Sequence, residues 1–102
     1  MIHVLARISL NPGTRALWLE EFRKVAPLVH AEDGCIAYEA TGDEPGVLGA
    51  QSLAGEDTVV IVERWRDAAA LKAHSVAPHM TAYRAAVKPY VAKAVIEVLK
   101  PL

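Results

Sequence analysis

TVVIVERW, residues 58–65, running into RDAAALKAHSVAPHM, residues 66–80, is the stretch on which the fold turns. Its first half is a run of β-branched residues, the composition of a strand inside a sheet. Asp67 then stands where a helix N-cap belongs, with Ala70, Leu71 and His74 falling on one side of a helix that starts at Ala68. Pro78 interrupts that helix, and a second segment follows with Met80, Tyr83 and Val87 at helical spacing. A strand that ends on a tryptophan among ions and a helix broken between two histidines are not needed to make a core. Both suit a binding site.

Working outward, IHVLARISL (residues 2–10) reads as a first strand ended by the turn signal NPG, with Ile2, Val4, Ala6 and Ile8 on one face and His3, Leu5, Arg7 and Ser9 on the other. From Thr14 the period lengthens to that of an amphipathic helix through Trp18 or Leu19, Phe22, Val25 or Ala26, and Val29, with Pro27 expected to kink its last turn and Gly34 to cap it. CIAYEAT (residues 35–41) is a second strand that puts Ile36, Tyr38 and Ala40 on one face. Residues 41–57, rich in glycine, form a long connection with room for a short strand near LGAQSL. YVAKAVIEVL (residues 90–99) closes the sheet. The order β-α-β-β-α-β predicts an α+β, ferredoxin-like fold: a four-stranded antiparallel sheet with two helices on one face, the 102 residues forming one domain. Strands such as VVIV are apolar on both sides, so the helix-free face should be covered too. A second copy of the sheet is the simplest cover, giving a homodimeric barrel whose apposed sheets enclose an apolar chamber.

Eleven Lys and Arg against twelve Asp and Glu give a net charge of −1, with no basic stripe, so nucleic acid is not an expected partner. There is no apolar run long enough to cross a bilayer and MIHVLARISL lacks the pattern of a secretory signal, which predicts no membrane partner and a cytoplasmic protein. Cys35 is the lone cysteine and reads as a small buried residue at the start of a strand.

Two motifs, E-x-G-C-x-x-Y at Glu32–Tyr38 and E-x-W-x-D-x-x-A-L-x-x-H-x-x-x-P-H at Glu63–His79, together with ARISLNPG and the terminal VLKPL, resemble the antibiotic biosynthesis monooxygenase family over nearly the whole chain. The resemblance implies a dimeric α+β barrel and, among the family's several chemistries, oxidation of small aromatic or quinol-type compounds by dioxygen without a cofactor or metal. Haem-degrading relatives carry an asparagine on the first strand where this chain has Ala6.

Within that frame His74 is the candidate general base, since imidazole titrates near about pH 6.5 and can deprotonate a phenol or enol. Trp65 and Tyr38 are candidate pocket walls, Glu63 a supporting carboxylate on the face of Trp65, and His79, Tyr83 and His3 further substrate contacts. For each there is a purely structural alternative: Trp65 as core, Glu63 paired with Arg7 or Arg84, the histidines holding the HSVAPH bend. His30 reads as solvated surface. His74 and His79, about 140° apart on an unbroken helix, make a poor metal pair. A non-catalytic metabolite-binding barrel and an isomerase of small carbonyl compounds are the rival functions.

Overall fold

The computed structural model describes residues 1–102 as β1 (Ile2–Leu10), α1 (Arg15–His30), β2 (Cys35–Thr41), β3 (Thr58–Trp65), α2 (Ala68–Ser75), α3 (Pro78–Val87) and β4 (Val91–Leu99). The strands form one antiparallel sheet in the order β2-β3-β1-β4, the ferredoxin-like arrangement that the order of elements predicts. No strand forms near LGAQSL. Residues 42–57 are instead a loop held by its own polar groups, with Gln51 Oε1 accepting from Val47 and Leu48 N–H and the Asp43 carboxylate accepting from Ala54 and Gly55 N–H.

Alternation along the strands separates two faces. Val4, Ala6, Ile8 and Leu10 of β1 and Val59, Ile61, Glu63 and Trp65 of β3 are buried beneath the helices. Trp18, Phe22, Val25 and Val29, spaced four, three and four residues apart, are the stripe that α1 lays on that face. Burying each such side chain contributes about 1.5–3 kcal/mol. The opposite face, with Leu5, Val60 and Val62 half-buried and Arg7, Arg64 and Glu97 among them, carries no helix.

Two turns depart from the sequence reading. Helix α1 passes through Pro27 and is capped at Ala31, whose N–H bonds to the Pro27 carbonyl, so Gly34 is not its cap. Gly34 lies three residues further on with φ +84°, and its carbonyl accepts from Arg66 N–H at 2.8 Å. In β2 the pairing with β3 slips between Cys35 and Ala37, which leaves Ile36 exposed and only Tyr38 fully buried. The break between α2 and α3 follows from Pro78: Ala77 adopts φ −62°, ψ 140°, as a residue before proline must, and Pro78 opens α3, where a missing N–H costs nothing.

A Cβ at position 34 would lie 2.5 Å from the Ala70 Cβ, on a backbone that disfavours side chains in any case. Gly34→Ala should therefore lose roughly 2–4 kcal/mol of unfolding free energy, read from urea denaturation, whereas Gly13→Ala, which meets nothing within 4 Å, should lose less.

Candidate active site

An apolar cavity of about 570 Å³ lies between the helix-covered face of the sheet and helices α2 and α3. Val4, Ala6, Ile8 and Ile61 form its floor, Leu71, Met80 and Val87 its roof, and Ala94, Ile96 and Val98 of β4 its open flank. This cavity lies within the chain, under the helices, on the side of the sheet opposite the one where a chamber between apposed sheets is expected. The reason is the sheet order. The helices cover β2, β3 and β1 but stop short of the edge strand β4, where Ile96 and Val98 remain exposed.

Four of the candidate residues line this cavity: Tyr38, Glu63, His74 and Tyr83. Trp65 does not. It is completely buried behind His74, with ring centroids 4.6 Å apart, and its Nε1–H donates to Glu63 Oε1 at 2.9 Å. Its indole thus packs one face of the imidazole and orients the carboxylate, which a pocket wall would not do. The arginine pairing considered for Glu63 is absent, since Arg7 pairs with Glu97 and Arg84 donates to the Ser75 carbonyl. His3 is on the helix-free face, opposite the cavity, because it alternates with Val4. His30 is exposed but not merely solvated: its Nε2–H donates to the Tyr38 carbonyl at 2.8 Å.

His79 stands outside the cavity and joins it through Glu32. Glu32 Oε2 accepts from His74 Nδ1 at 2.9 Å and from His79 Nε2 at 2.8 Å. A carboxylate can only accept, so both imidazole nitrogens in these bonds carry hydrogen. For neutral His74 this leaves Nε2 as the free lone pair, on the cavity side and 4.0 Å from Glu63 Oε1. The chain break at Ala77–Pro78 makes this possible by turning α3 so that the two histidines converge on one oxygen. Glu32 was absent from the sequence-based candidates because the turn after α1 accounts for it. The signal was its place as first residue of the E-x-G-C-x-x-Y motif.

Aromatic rings carry the histidine from behind. Trp18, Phe22 and Tyr38 stack at 5.2 and 5.3 Å, and the Tyr38 ring meets His74 edge-on at 5.5 Å. Burial raises the Tyr38 hydroxyl pKa far above its ordinary value, Glu63 adding to the effect, and pushes Tyr83 up to about 12. Both therefore stay O–H donors at neutral pH. Burial also raises the Glu63 carboxyl, while the Trp65 hydrogen bond and the His74 charge pull it back. No group of three or more His, Cys, Asp or Glu side chains is gathered in a metal-binding arrangement, and no helix is long and apolar enough to cross a membrane.

A ferredoxin-like sheet with an apolar chamber under its helices, and a carboxylate-held histidine in the chamber wall, defines a small α+β protein built to enclose an organic molecule. The chain belongs to the antibiotic biosynthesis monooxygenase family, whose model matches residues 1–86. It is 39% identical over 103 residues to YgiN of Escherichia coli K12, a probable quinol monooxygenase, with 99% of this chain and 98% of that protein covered. Rv0793 from Mycobacterium tuberculosis superposes with a TM-score of 0.80 at 28% identity, covering 99% of this chain and 94% of that one. PA3566 from Pseudomonas aeruginosa, at 24% identity, shares the fold with a TM-score of 0.81 over 99% of this chain and 93% of its own.

Glu63 gives a stability test. Its carboxyl holds a proton more tightly in the folded chain than in the unfolded one, so the native protein loses stability as pH rises from the ordinary value of 4.5 through the raised folded one. Glu63→Gln keeps an acceptor for the Trp65 N–H and removes the buried charge. Its melting temperature should exceed that of the native chain at pH 7.5, with the gap closing as the pH falls toward 4.5.

Proposed function

We propose that residues 1–102 form one domain that acts as a cofactor-independent monooxygenase, oxidising a small aromatic or quinol-type substrate with dioxygen. The observation that carries this reading is the geometry of His74: buried, in the wall of an apolar cavity, with Nδ1–H on Glu32 and Nε2 free on the cavity side. A base so held is suited to one task, removal of a proton from a bound hydroxyl.

The chemistry then needs little more. Dioxygen, a triplet, reacts slowly with closed-shell molecules, and ionising the substrate makes it electron-rich enough to give up one electron. The substrate hydroxyl proton passes to His74 Nε2. The resulting anion transfers an electron to dioxygen, and the two radicals join at a ring carbon. The His74 imidazolium returns its proton to the peroxide anion so formed, and the hydroperoxide then breaks its O–O bond, its outer oxygen leaving as water with the hydrogen of that ring carbon, so that one quinol and one dioxygen give one hydroxyquinone and one water. Tyr38 and Tyr83, which line the cavity and are held protonated by burial, supply hydroxyl donors for developing oxygen charge in this reading. Glu63 is the polar support beside the base. Glu32 and Trp65 act through His74 as positioning residues, and His79 acts through Glu32. An apolar lining keeps water from the intermediates. The quinol-monooxygenase name of the Escherichia coli relative supports the same chemistry.

We further infer a cytoplasmic homodimer. Leu5, Val60, Val62, Val95 and Leu99 leave an apolar stripe on the helix-free sheet face, the kind of surface a second copy covers, and the free thiol of Cys35 suits a reducing compartment. Sedimentation should give twice 11.0 kDa.

An oxygen electrode with naphthalene-1,4-diol tests the activity. His74→Ala should reduce enzyme-dependent oxygen uptake by about 10²-fold or more. Glu32→Gln should reduce kcat by about 10- to 10²-fold with KM within about twofold, the split expected when a base is misdirected and the binding surface is intact. Saturable binding with no uptake above the uncatalysed rate would transfer the protein to the binding or isomerase readings.

A further inference from the structure

The cavity is polar in two places, and only one of them is used above. At its base stand Tyr38, Glu63 and His74, all buried; where α2 and α3 meet solvent it is lined by Lys72, Ser75, Arg84 and Lys88, all exposed. Lys72 and Ser75 are three residues apart and Arg84 and Lys88 four apart, so each pair occupies one helix face, alongside the half-buried Leu71 and the buried Met80 and Val87 that form the roof. Three cations thus stand at the mouth. Glu63, at the base, is the only carboxylate among the lining residues.

None of the three mouth cations is in an ion pair with a carboxylate, so each is available to an incoming anion. Arg84 spends one donor on the Ser75 carbonyl at 2.7 Å, which ties the end of α2 to α3 and leaves most of its guanidinium donors free. Burial raises both cavity tyrosines, and the Arg84 charge works against it at both, so that charge reaches the chamber. With a net charge of −1 on the whole chain, this cationic mouth is a local feature and not a result of basic composition.

We propose that the cavity takes a hydroxylated aromatic carrying an anionic group, a carboxylate, at the end opposite the hydroxyl, and that Lys72, Arg84 and Lys88 select it. The ring lies in the apolar chamber with its hydroxyl toward His74, and the carboxylate stays at the mouth, where it keeps part of its hydration and meets three positive charges. An anion driven inward would face the buried Glu63 and lose water without a partner, so the charge pattern also fixes which end enters. This rests on reading the cavity as the substrate chamber. It goes beyond that reading in naming what the substrate must carry.

Equilibrium binding of two fluorescent probes to the native protein separates the two ideas, since it requires no turnover. 6-Hydroxy-2-naphthoate has its hydroxyl and carboxylate at opposite ends; 2-naphthol lacks the carboxylate. In about 20 mM salt the naphthoate should bind at least about tenfold more tightly than the naphthol, and the ratio should fall severalfold in about 0.5 M salt as the mouth charges are screened. Lys72→Met with Lys88→Met should bring the low-salt ratio to about threefold or less, and Lys72→Glu with Lys88→Glu should bring it below one. Lys24→Met, on α1 and away from the cavity, should leave it unchanged. A ratio near one in the native protein, a ratio insensitive to salt or to these exchanges, or no binding of either probe overturns the proposal. Charge-selective binding without oxygen uptake on any quinol would keep it and remove the oxygenase reading, and oxygen uptake without charge selection would do the reverse.

Discussion

One carboxylate oxygen holds the site together. Glu32 Oε2 receives N–H groups from the last turn of α2 and the first turn of α3, while its own backbone belongs to the turn between α1 and β2. Two successive helices are thereby fixed to one point on a turn 42 and 47 residues away in sequence. Hydrogen bonds to an ionised acceptor are about twice as strong as neutral ones, and here the acceptor and His74 are both largely shielded from water. Without it His74 would have packing but no fixed tautomer, and His79 would have no reason to face inward.

The turn that presents Glu32 has to be stiff, and its neighbours show how that is done. Gly34 takes the left-handed conformation that lets the chain reverse into β2 while its carbonyl accepts from Arg66 N–H. The Arg66 guanidinium then grips both oxygens of Asp33 at 3.0 Å and reaches Asp67, the residue that caps α2 through Ala70 N–H. Exposed ion pairs of this kind add at most about 1 kcal/mol. Their importance is geometric, because the same arginine links the turn carrying Glu32 to the start of the helix carrying His74.

The elements were legible in the sequence because their signals are local. The β-branched run at 58–65, the three- and four-residue spacing of Trp18, Phe22, Val25 and Val29, and Pro78 after an Asp67-capped helix each lie within one element. Candidate residues on the helix-side face, Tyr38, Glu63 and His74, were also legible, since strand alternation and helical phase assign faces. The misreadings were relational. Nothing in the alternation of β1 says which of its faces the helices will cover, so His3 was expected in the cavity and stands across the sheet from it. Glu32 carries no local signal of its role because its partners are 42 and 47 residues away, and the one-residue slip in β2 that exposes Ile36 has no signature in CIAYEAT.

The position of the chamber has a consequence for how the two faces of the sheet divide the work. A cavity between two apposed sheets would open and close with the dimer, so that occupancy and association would be one event. A cavity beneath the helices, bounded on its floor by Val4, Ala6, Ile8 and Ile61, leaves the other side of those same strands free to pack against another surface without touching the ligand. Val60 and Val62, which point away from the floor, can then be selected for association, and Ile61 and Glu63, which alternate with them, for the contents of the chamber. Period-two alternation thus lets eight consecutive residues of β3 serve two surfaces at once. That explains why this strand reads as apolar almost throughout and yet carries, on its inner side alone, a buried carboxylate.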